Sequence, residues 1–118
     1  MGRDKRLKEG NEFARAKNEG KRLVRGCLIL NWLDREGAAG SRLGVITSKR
    51  IGNAIKRSRA RRLMREAFRL HQNEFVKPVD IVLIARRSIN EKQQADVERT
   101  FLKLATEAGV IAGTDTDR

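Results

Sequence analysis

The chain is most basic in residues 49–69, KRIGNAIKRSRARRLMREAFR, where nine of the 21 residues are Lys or Arg and one is acidic. No glycine or proline follows Asn53 until Pro78, and asparagine commonly caps a helix N-terminus. The apolar residues recur at helical spacing, which predicts a long helix from about Asn53 to Phe75. Its buried stripe is expected to contain Ala60, Leu63, Met64, Ala67, Phe68 and His71.

The arginines of this helix fall on the arc opposite the apolar stripe, at about 100° per residue. Their mutual repulsion amounts to roughly a few tenths of a kcal/mol per pair three or four residues apart. A polyanion outside the chain would compensate that repulsion, and the planar guanidinium group binds phosphate in a bidentate manner. The pattern favours a nucleic-acid-binding face over an ordinary solvated one. The arc contains Arg59, Arg61, Arg62, Arg65 and Arg69, whereas Arg57 lies about 200° from Arg59 and is expected to make a different contact.

Composition limits the class of protein. The chain has 118 residues, a formal net charge of +12 and 39% hydrophobic residues, which suits one charged but folded domain over residues 1–118. We expect residues 1–10 and 111–118 to be flexible. A single cysteine, Cys27, permits no intrachain disulfide, and no apolar run is long enough to cross a membrane. We therefore predict a cytoplasmic protein with no membrane partner and no obligate protein partner.

The segments around the basic helix predict an α/β (α+β) fold in the order α-β-β-β-α-β-α. A two-layer sandwich with a sheet of about four strands accommodates that order. The strands before and after the long helix should be parallel, because they form a βαβ unit, and the generic rule would make the connection right-handed. The predicted elements begin with a short helix over residues 11–20 and a β-type run from Leu23 to Leu33, which is either one bent strand or two pieces, with Gly26 as a possible bulge. Two further strands are predicted at Leu43–Thr47 and at Val79–Ala85, and the second of these should be buried on both faces. A last helix is predicted within residues 88–109 and should end at Gly109.

No catalytic constellation is visible in the sequence, so no catalytic residue is predicted. The only histidine, His71, lies on the apolar stripe and is expected to be packed or half-buried, and Cys27 is expected to be a small core residue. The acidic residues are scattered, no recognisable motif binds a metal, and GVITSKRIG lacks the Gly-Lys-Ser/Thr order of a phosphate-binding loop.

Two local features leave their roles open. Asn53 either caps the helix only or also presents helix N–H groups, beside Lys49 and Arg50, to a phosphate. Trp32 is the only strand aromatic that could stack on a base. Composition alone does not separate RNA from DNA.

The segment RLGVITSKRIGNAIKRSRARRLMREAFR, residues 42–69, resembles the protein subunit of bacterial ribonuclease P. That family shows an ordered series of motifs whose counterparts here are GVITSKR, GNA, RSR and RRLMRE, and the similarity continues through DIVLIAR. RLKEGNEF resembles the family's N-terminal start, so the resemblance covers residues 6 to 108.

The resemblance implies a small protein partner of a catalytic RNA, the ribonuclease P RNA. That RNA, with Mg²⁺, removes the 5′ leader from precursor tRNA, so Mg²⁺ enters through the RNA. It also implies a left-handed βαβ crossover, against the generic rule. The residues that inherit contact with the catalytic RNA are Arg57, Ser58, Arg59, Arg61, Arg62, Arg65 and Arg69. Those implied for the leader, between the sheet and the first helix, are Phe13, Lys17, Ser48, Lys49, Arg50 and Asn53.

The sequence departs from the family pattern at two of these positions. Ser58 stands where the family has asparagine, and Lys17 stands where it usually has a second aromatic residue. A phosphate contact by Lys17 would replace base stacking there. The alternatives are a non-enzymatic RNA-binding protein, such as a ribosomal protein, and a DNA-binding protein that inserts its basic helix into a major groove.

Overall fold

The computed structural model describes residues 11–112, with side chains from residue 14 onward. Its element order confirms the predicted α-β-β-β-α-β-α. The elements are α1 (Asn11–Glu19), β1 (Lys21–Arg25), β2 (Leu28–Asp34), β3 (Arg42–Ile46), α2 (Ala54–His71), β4 (Val79–Ala85) and α3 (Gln94–Ala108). Three short 3₁₀ helices join them and are named by what they connect: the β3–α2 turn (Lys49–Ile51), the α2–β4 turn (Gln72–Glu74) and the β4–α3 turn (Arg87–Glu91).

The four strands form one sheet in the order β1-β2-β4-β3. β4 is antiparallel to β2 and parallel to β3, with Leu83 opposite both Leu30 and Val45. The predicted parallel βαβ pair is therefore confirmed, and β4 is a central strand buried along almost its whole length. Because parallel strands end at the same edge of a sheet, the segments that follow β3 and β4 emerge side by side. The left-handed sense of the connection stays a prediction.

A two-residue turn joins β1 and β2 into a hairpin. Residues 23–33 therefore form two strands rather than one bent strand, and the predicted bulge at Gly26 is wrong. Arg25 pairs with Leu28, which leaves Gly26 and Cys27 as the turn. Gly26 has φ = 54°, a left-handed conformation that the tight turns favoured in hairpins require. The side chain of Cys27 is fully buried, as expected for a small core residue, and burial raises the pKa of its thiol.

One face of the sheet packs against α2 and α3. Alternate residues of β2 and β4 point into this core, where they meet the apolar stripe of α2. Trp32 belongs to the same cluster and is only 8% exposed, so it offers no surface on which a base could stack. The sheet and the α2–α3 layer are the two predicted layers.

The opposite face of the sheet carries α1. Ala16 is fully buried there, against Val82, with Ile46 and Ile84 beside it. The end of α1 approaches β2 so closely that a Cβ at Gly20 would lie 2.3 Å from the carbonyl oxygen of Trp32. α1 is therefore held over β2 and β4, with its outer surface in solvent.

α2 ends at His71, four residues before the predicted Phe75. The α2–β4 turn follows it and brings Phe75 back to the core, where its ring lies 5.6 Å from that of Phe68 in an edge-on arrangement. Phe75 also pairs with Ile111. A continued helix would have carried this aromatic side chain away from those contacts.

At the chain's end, Gly109 stops α3 with φ = 79°, as predicted, and Ile111 is buried. The predicted flexibility of residues 1–10 and of most of 111–118 lies outside the described residues. Among the helices that the structure describes, none has the length and apolar character needed to cross a membrane.

Candidate nucleic-acid interface

α2 separates apolar and basic side chains as its periodicity predicts. Ala60, Leu63, Met64, Ala67 and Phe68 are buried. On the opposite side of the helix the exposed residues are Ser58, Arg62, Arg65 and Arg69, with the exposed Ile55 as an apolar exception in the first turn.

Arg69 forms an ion pair with a carboxylate of its own helix. Its Nε and Nη2 donate to the two carboxylate oxygens of Glu66, at 2.9 and 2.6 Å. The hydrogen bond from Arg69 holds the pKa of Glu66 below its usual value. The charge of Arg69 is therefore offset, and a phosphate would have to compete with Glu66 for it.

Arg57 and Arg61 are half-buried and serve the start of α2. Arg57 Nη1 donates to the carbonyl oxygen of Gly52 at 2.6 Å, which gives it the separate contact expected from its angle on the helix. Arg61 donates to Thr47 Oγ1 at 2.8 Å and to Ser58 Oγ at 3.2 Å. Both guanidinium groups therefore stabilise the approach of β3 to α2. Arg61 was predicted on the exposed basic arc and instead lies half-buried at its edge, because Thr47 accepts from its guanidinium group.

Arg59 does not lie on the main basic arc, which corrects the prediction. Its guanidinium group is half-buried and donates to the carbonyl oxygens of Ile89, at 3.3 Å, and of Lys92. The reason is tertiary, because the β4–α3 turn approaches this edge of α2 and supplies carbonyl oxygens at the place where the arginine lies.

The leader residues predicted after β3 are exposed and follow one another around the β3–α2 turn. Ser48 Oγ accepts from the backbone N–H of Arg50 at 3.2 Å and caps this turn. Asn53 Oδ1 accepts from the N–H of Lys56 at 3.0 Å and confirms the predicted cap of α2. Lys49 and Arg50 have exposed side chains.

Sequence reasoning missed two arginines at this edge of the sheet, Arg86 and Arg87. Both are exposed and come directly after β4. Arg86 Nη1 donates to the carbonyl oxygen of Gly26 at 3.0 Å. The predicted parallel pairing of the strands now called β3 and β4 could have indicated them, because residues that follow two adjacent parallel strands lie at the same edge of the sheet. We call Lys49, Arg50, Arg86 and Arg87 the basic end of the sheet.

α1 contributes the remaining predicted leader residues. Lys17 is exposed, and its backbone oxygen accepts from Asn31 Nδ2 of β2 at 3.5 Å. Phe13 belongs to α1, but its side chain lies outside the described residues. The structure thus places α1 on the face of the sheet opposite α2, over β2 and β4.

The carboxylates within the described residues are mostly paired with cations. Asp80, which is nearly buried, accepts two hydrogen bonds from Arg42 at 2.9 Å and lies 3.3 Å from Arg35. His71 is half-buried, as predicted, between Glu74 at 2.7 Å and Glu98 at 2.5 Å. Among residues 11–112, no group of three or more His, Cys, Asp or Glu side chains is arranged to hold a metal ion.

Comparison with known proteins gives one answer. A family model described as Ribonuclease P matches residues 1–109. The Ribonuclease P protein component of Clostridium beijerinckii is 38% identical over 111 residues, which is 89% of each chain. That of Pelotomaculum thermopropionicum is 34% identical over 104 residues and covers 88% of this chain and 92% of its own.

Solved structures agree with the sequence relatives. The RNase P protein from Thermotoga maritima has 28% identity and a TM-score of 0.77, with 86% of this chain and 96% of that chain covered. Together with the element order, the sheet and the basic helix, these matches show that the chain belongs to the family of ribonuclease P protein components, the protein subunits of the ribonucleoprotein that processes tRNA 5′ ends.

Proposed function

We propose that this protein divides its RNA contacts between two surfaces, and that catalysis resides in the partner RNA. The exposed arginines of α2, Arg62 and Arg65, bind phosphates of ribonuclease P RNA. The basic end of the sheet, together with the outer surface of α1, binds the 5′ leader of precursor tRNA.

The observation that carries this proposal is that exposed cations meet at the basic end of the sheet, whereas three exposed cations elsewhere are each paired with a carboxylate. Arg25 pairs with Glu107, Lys77 with Asp34 and Arg99 with Asp96. Lys49, Arg50 and Arg87 have no carboxylate partner among residues 11–112, although two parallel strands bring them to one edge of the sheet. Concentrating cations of one sign in this way attracts a polyanion.

We propose further that Mg²⁺ is held by the RNA. Support comes from where the carboxylates of the described residues are placed. The most buried one, Asp80, faces two arginines, Arg35 and Arg42. Glu74 and Glu98 face His71, and Asp96 faces Arg99. These residues do not fit a protein-held Mg²⁺, and we derive no step through one.

A crossed binding experiment tests the division between the two surfaces. We expect Arg62→Ala combined with Arg65→Ala to weaken binding of ribonuclease P RNA to the protein. We expect Lys49→Ala combined with Arg50→Ala to weaken the holoenzyme's binding of precursor tRNA more than of mature tRNA, which has no leader. Lys103→Ala removes an exposed cation on α3 and is the control for net charge. Equal losses for precursor and mature tRNA would contradict the leader assignment.

A further inference from the structure

We propose that Asn90 is a positioning residue for leader binding, which holds Lys49 and Arg50 in place from the neighbouring turn. The inference rests on the proposed function. Asn90 itself is half-buried in the β4–α3 turn. In this proposal it acts on leader binding through Lys49 and Arg50 and does not touch the RNA.

The first observation is a hydrogen bond between two turns that are distant in sequence. Asn90 Nδ2 donates to the carbonyl oxygen of Ile51 at 2.8 Å. Ile51 is 2% exposed and ends the β3–α2 turn, directly after Lys49 and Arg50. The amide of Asn90 therefore ties the segment that carries the two cations to the segment that follows β4.

The second observation is that the β4–α3 turn is itself held by α2. Arg59 donates to the carbonyl oxygens of Ile89 and Lys92, on either side of Asn90. Ile89 is fully buried. Asn90 thus projects from a segment that α2 holds in place. Arg59, which was predicted to bind RNA, helps to hold this segment.

The third observation is that the other hydrogen bonds of the β3–α2 turn come from its own segment and from the start of α2, where Ser48 Oγ accepts from the N–H of Arg50 and Arg57 donates to the carbonyl oxygen of Gly52. The backbone of this turn makes two internal hydrogen bonds, from Ile51 N to Ser48 O and from Gly52 N to Lys49 O, both 3.1 Å. Gly52 follows with φ = 134°, a conformation that glycine adopts freely. Because a glycine follows this turn, a hydrogen bond to the neighbouring turn helps to keep it in one conformation. Holding the cations in place before binding lowers the entropic cost of binding.

The test combines Asn90→Ala with the double variant Lys49→Ala/Arg50→Ala in a double-mutant cycle. Asn90→Ala removes the donor without adding charge, and Asn73→Ala, an exposed asparagine in the α2–β4 turn, is the matched control. The holoenzyme's affinity is measured for precursor and for mature tRNA. We expect Asn90→Ala to weaken precursor binding by about three- to tenfold in the otherwise unchanged protein, and by much less in the double variant, because the cations that it positions are then absent. Asn73→Ala should have no effect in either background.

Amide hydrogen exchange of the free protein gives a readout that does not depend on RNA. Asn90→Ala should speed exchange at Ile51 and Gly52 more than elsewhere in the chain, while lowering the thermal unfolding midpoint by no more than the loss of one hydrogen bond allows. Equal weakening of precursor binding with and without Lys49 and Arg50 would overturn the positioning role, as would unchanged exchange at those amides.

The failures of the two proposals are distinguishable. If Lys49→Ala/Arg50→Ala binds precursor tRNA as tightly as the unchanged protein does, the leader assignment is wrong, and the role of Asn90 falls with it. If the double variant binds more weakly and Asn90→Ala does not, only the positioning role is wrong.

Discussion

Arg62 and Leu63 are neighbours in α2 but differ in role, since we propose that Arg62 binds RNA whereas Leu63 packs in the core. Arg62 is exposed, and Leu63 is only 5% exposed, in the core. We expect Arg62→Ala to weaken binding of ribonuclease P RNA and to change the slope of log affinity against log salt by about 1, because one phosphate contact is lost. Its unfolding free energy should stay nearly constant or rise, since repulsion along the helix is relieved.

Leu63→Ala is the matched control for Arg62→Ala. It should cost roughly 2–5 kcal/mol of unfolding free energy as a buried truncation, with an unchanged salt slope for the molecules that remain folded. If Arg62→Ala unfolds the protein and leaves the salt slope intact, then Arg62 is structural rather than an RNA contact.

Arg59 should behave differently from Arg62, although both belong to the basic helix. Arg59→Ala leaves the carbonyl oxygens of Ile89 and Lys92 without their donor, so we expect a loss of about 1–3 kcal/mol in unfolding free energy. Chemical denaturation of Arg59→Ala and Arg62→Ala side by side measures the difference. Equal stability of the two variants would argue against the structural role of Arg59.

At this scale, the sequence predicted which α2 residues are buried but not what each arginine binds. The stripe follows from helical periodicity, which depends on local spacing alone. The partner of Arg59 depends on where the β4–α3 turn lies, and that is set by packing of Ile89 in the core. Arg86 and Arg87 were missed for a different reason, since their position follows from strand pairing rather than from any motif.

Elements are joined by polar contacts as well as by the core, and the link between α2 and α3 includes a titratable group. His71 of α2 lies between Glu98 of α3 and Glu74 of the α2–β4 turn. Burial lowers the pKa of His71, but the hydrogen bonds that the ring donates to Glu98 and Glu74 outweigh it, so the pKa is raised above its usual value.

A raised pKa in the folded state means that protonated His71 stabilises the fold. This contribution is fully present below the unfolded-state pKa of about 6.5 and is lost as pH rises through the folded-state pKa. We therefore expect the unfolding free energy to fall as pH rises across that window, and His71→Gln to reduce this dependence. Urea denaturation at several pH values measures it. Identical pH profiles for the two proteins would contradict the ion pairs.

At the element scale, helices and strands were predictable because each has a period, a cap or a stop residue of its own. Asn53 and Gly109 mark their helices as expected. The end of α2 was not predictable from spacing, because Phe75 leaves the helix to contact Phe68, a core residue of α2 itself, and to pair with Ile111, which follows α3.

The whole molecule brings together two basic segments that are separate in the sequence. Residues 49–69 contribute a net charge of +8, and the parallel pairing of β3 and β4 adds Arg86 and Arg87 at the start of that segment. The opposite face of the sheet carries α1. The order of the strands was not readable from the sequence, because the hairpin alone does not decide whether β4 enters between β2 and β3.

The central claim is that this chain supplies binding surfaces while the RNA supplies catalysis. The most direct measurement is cleavage of a precursor tRNA at low Mg²⁺ by three samples: the RNA-free protein, a bacterial ribonuclease P RNA alone, and the two together. We predict no site-specific cleavage by the protein alone, slow cleavage by the RNA, and a clear stimulation when both are present. Correct 5′ cleavage by carefully RNA-free protein, or a failure to stimulate the RNA, would contradict the account.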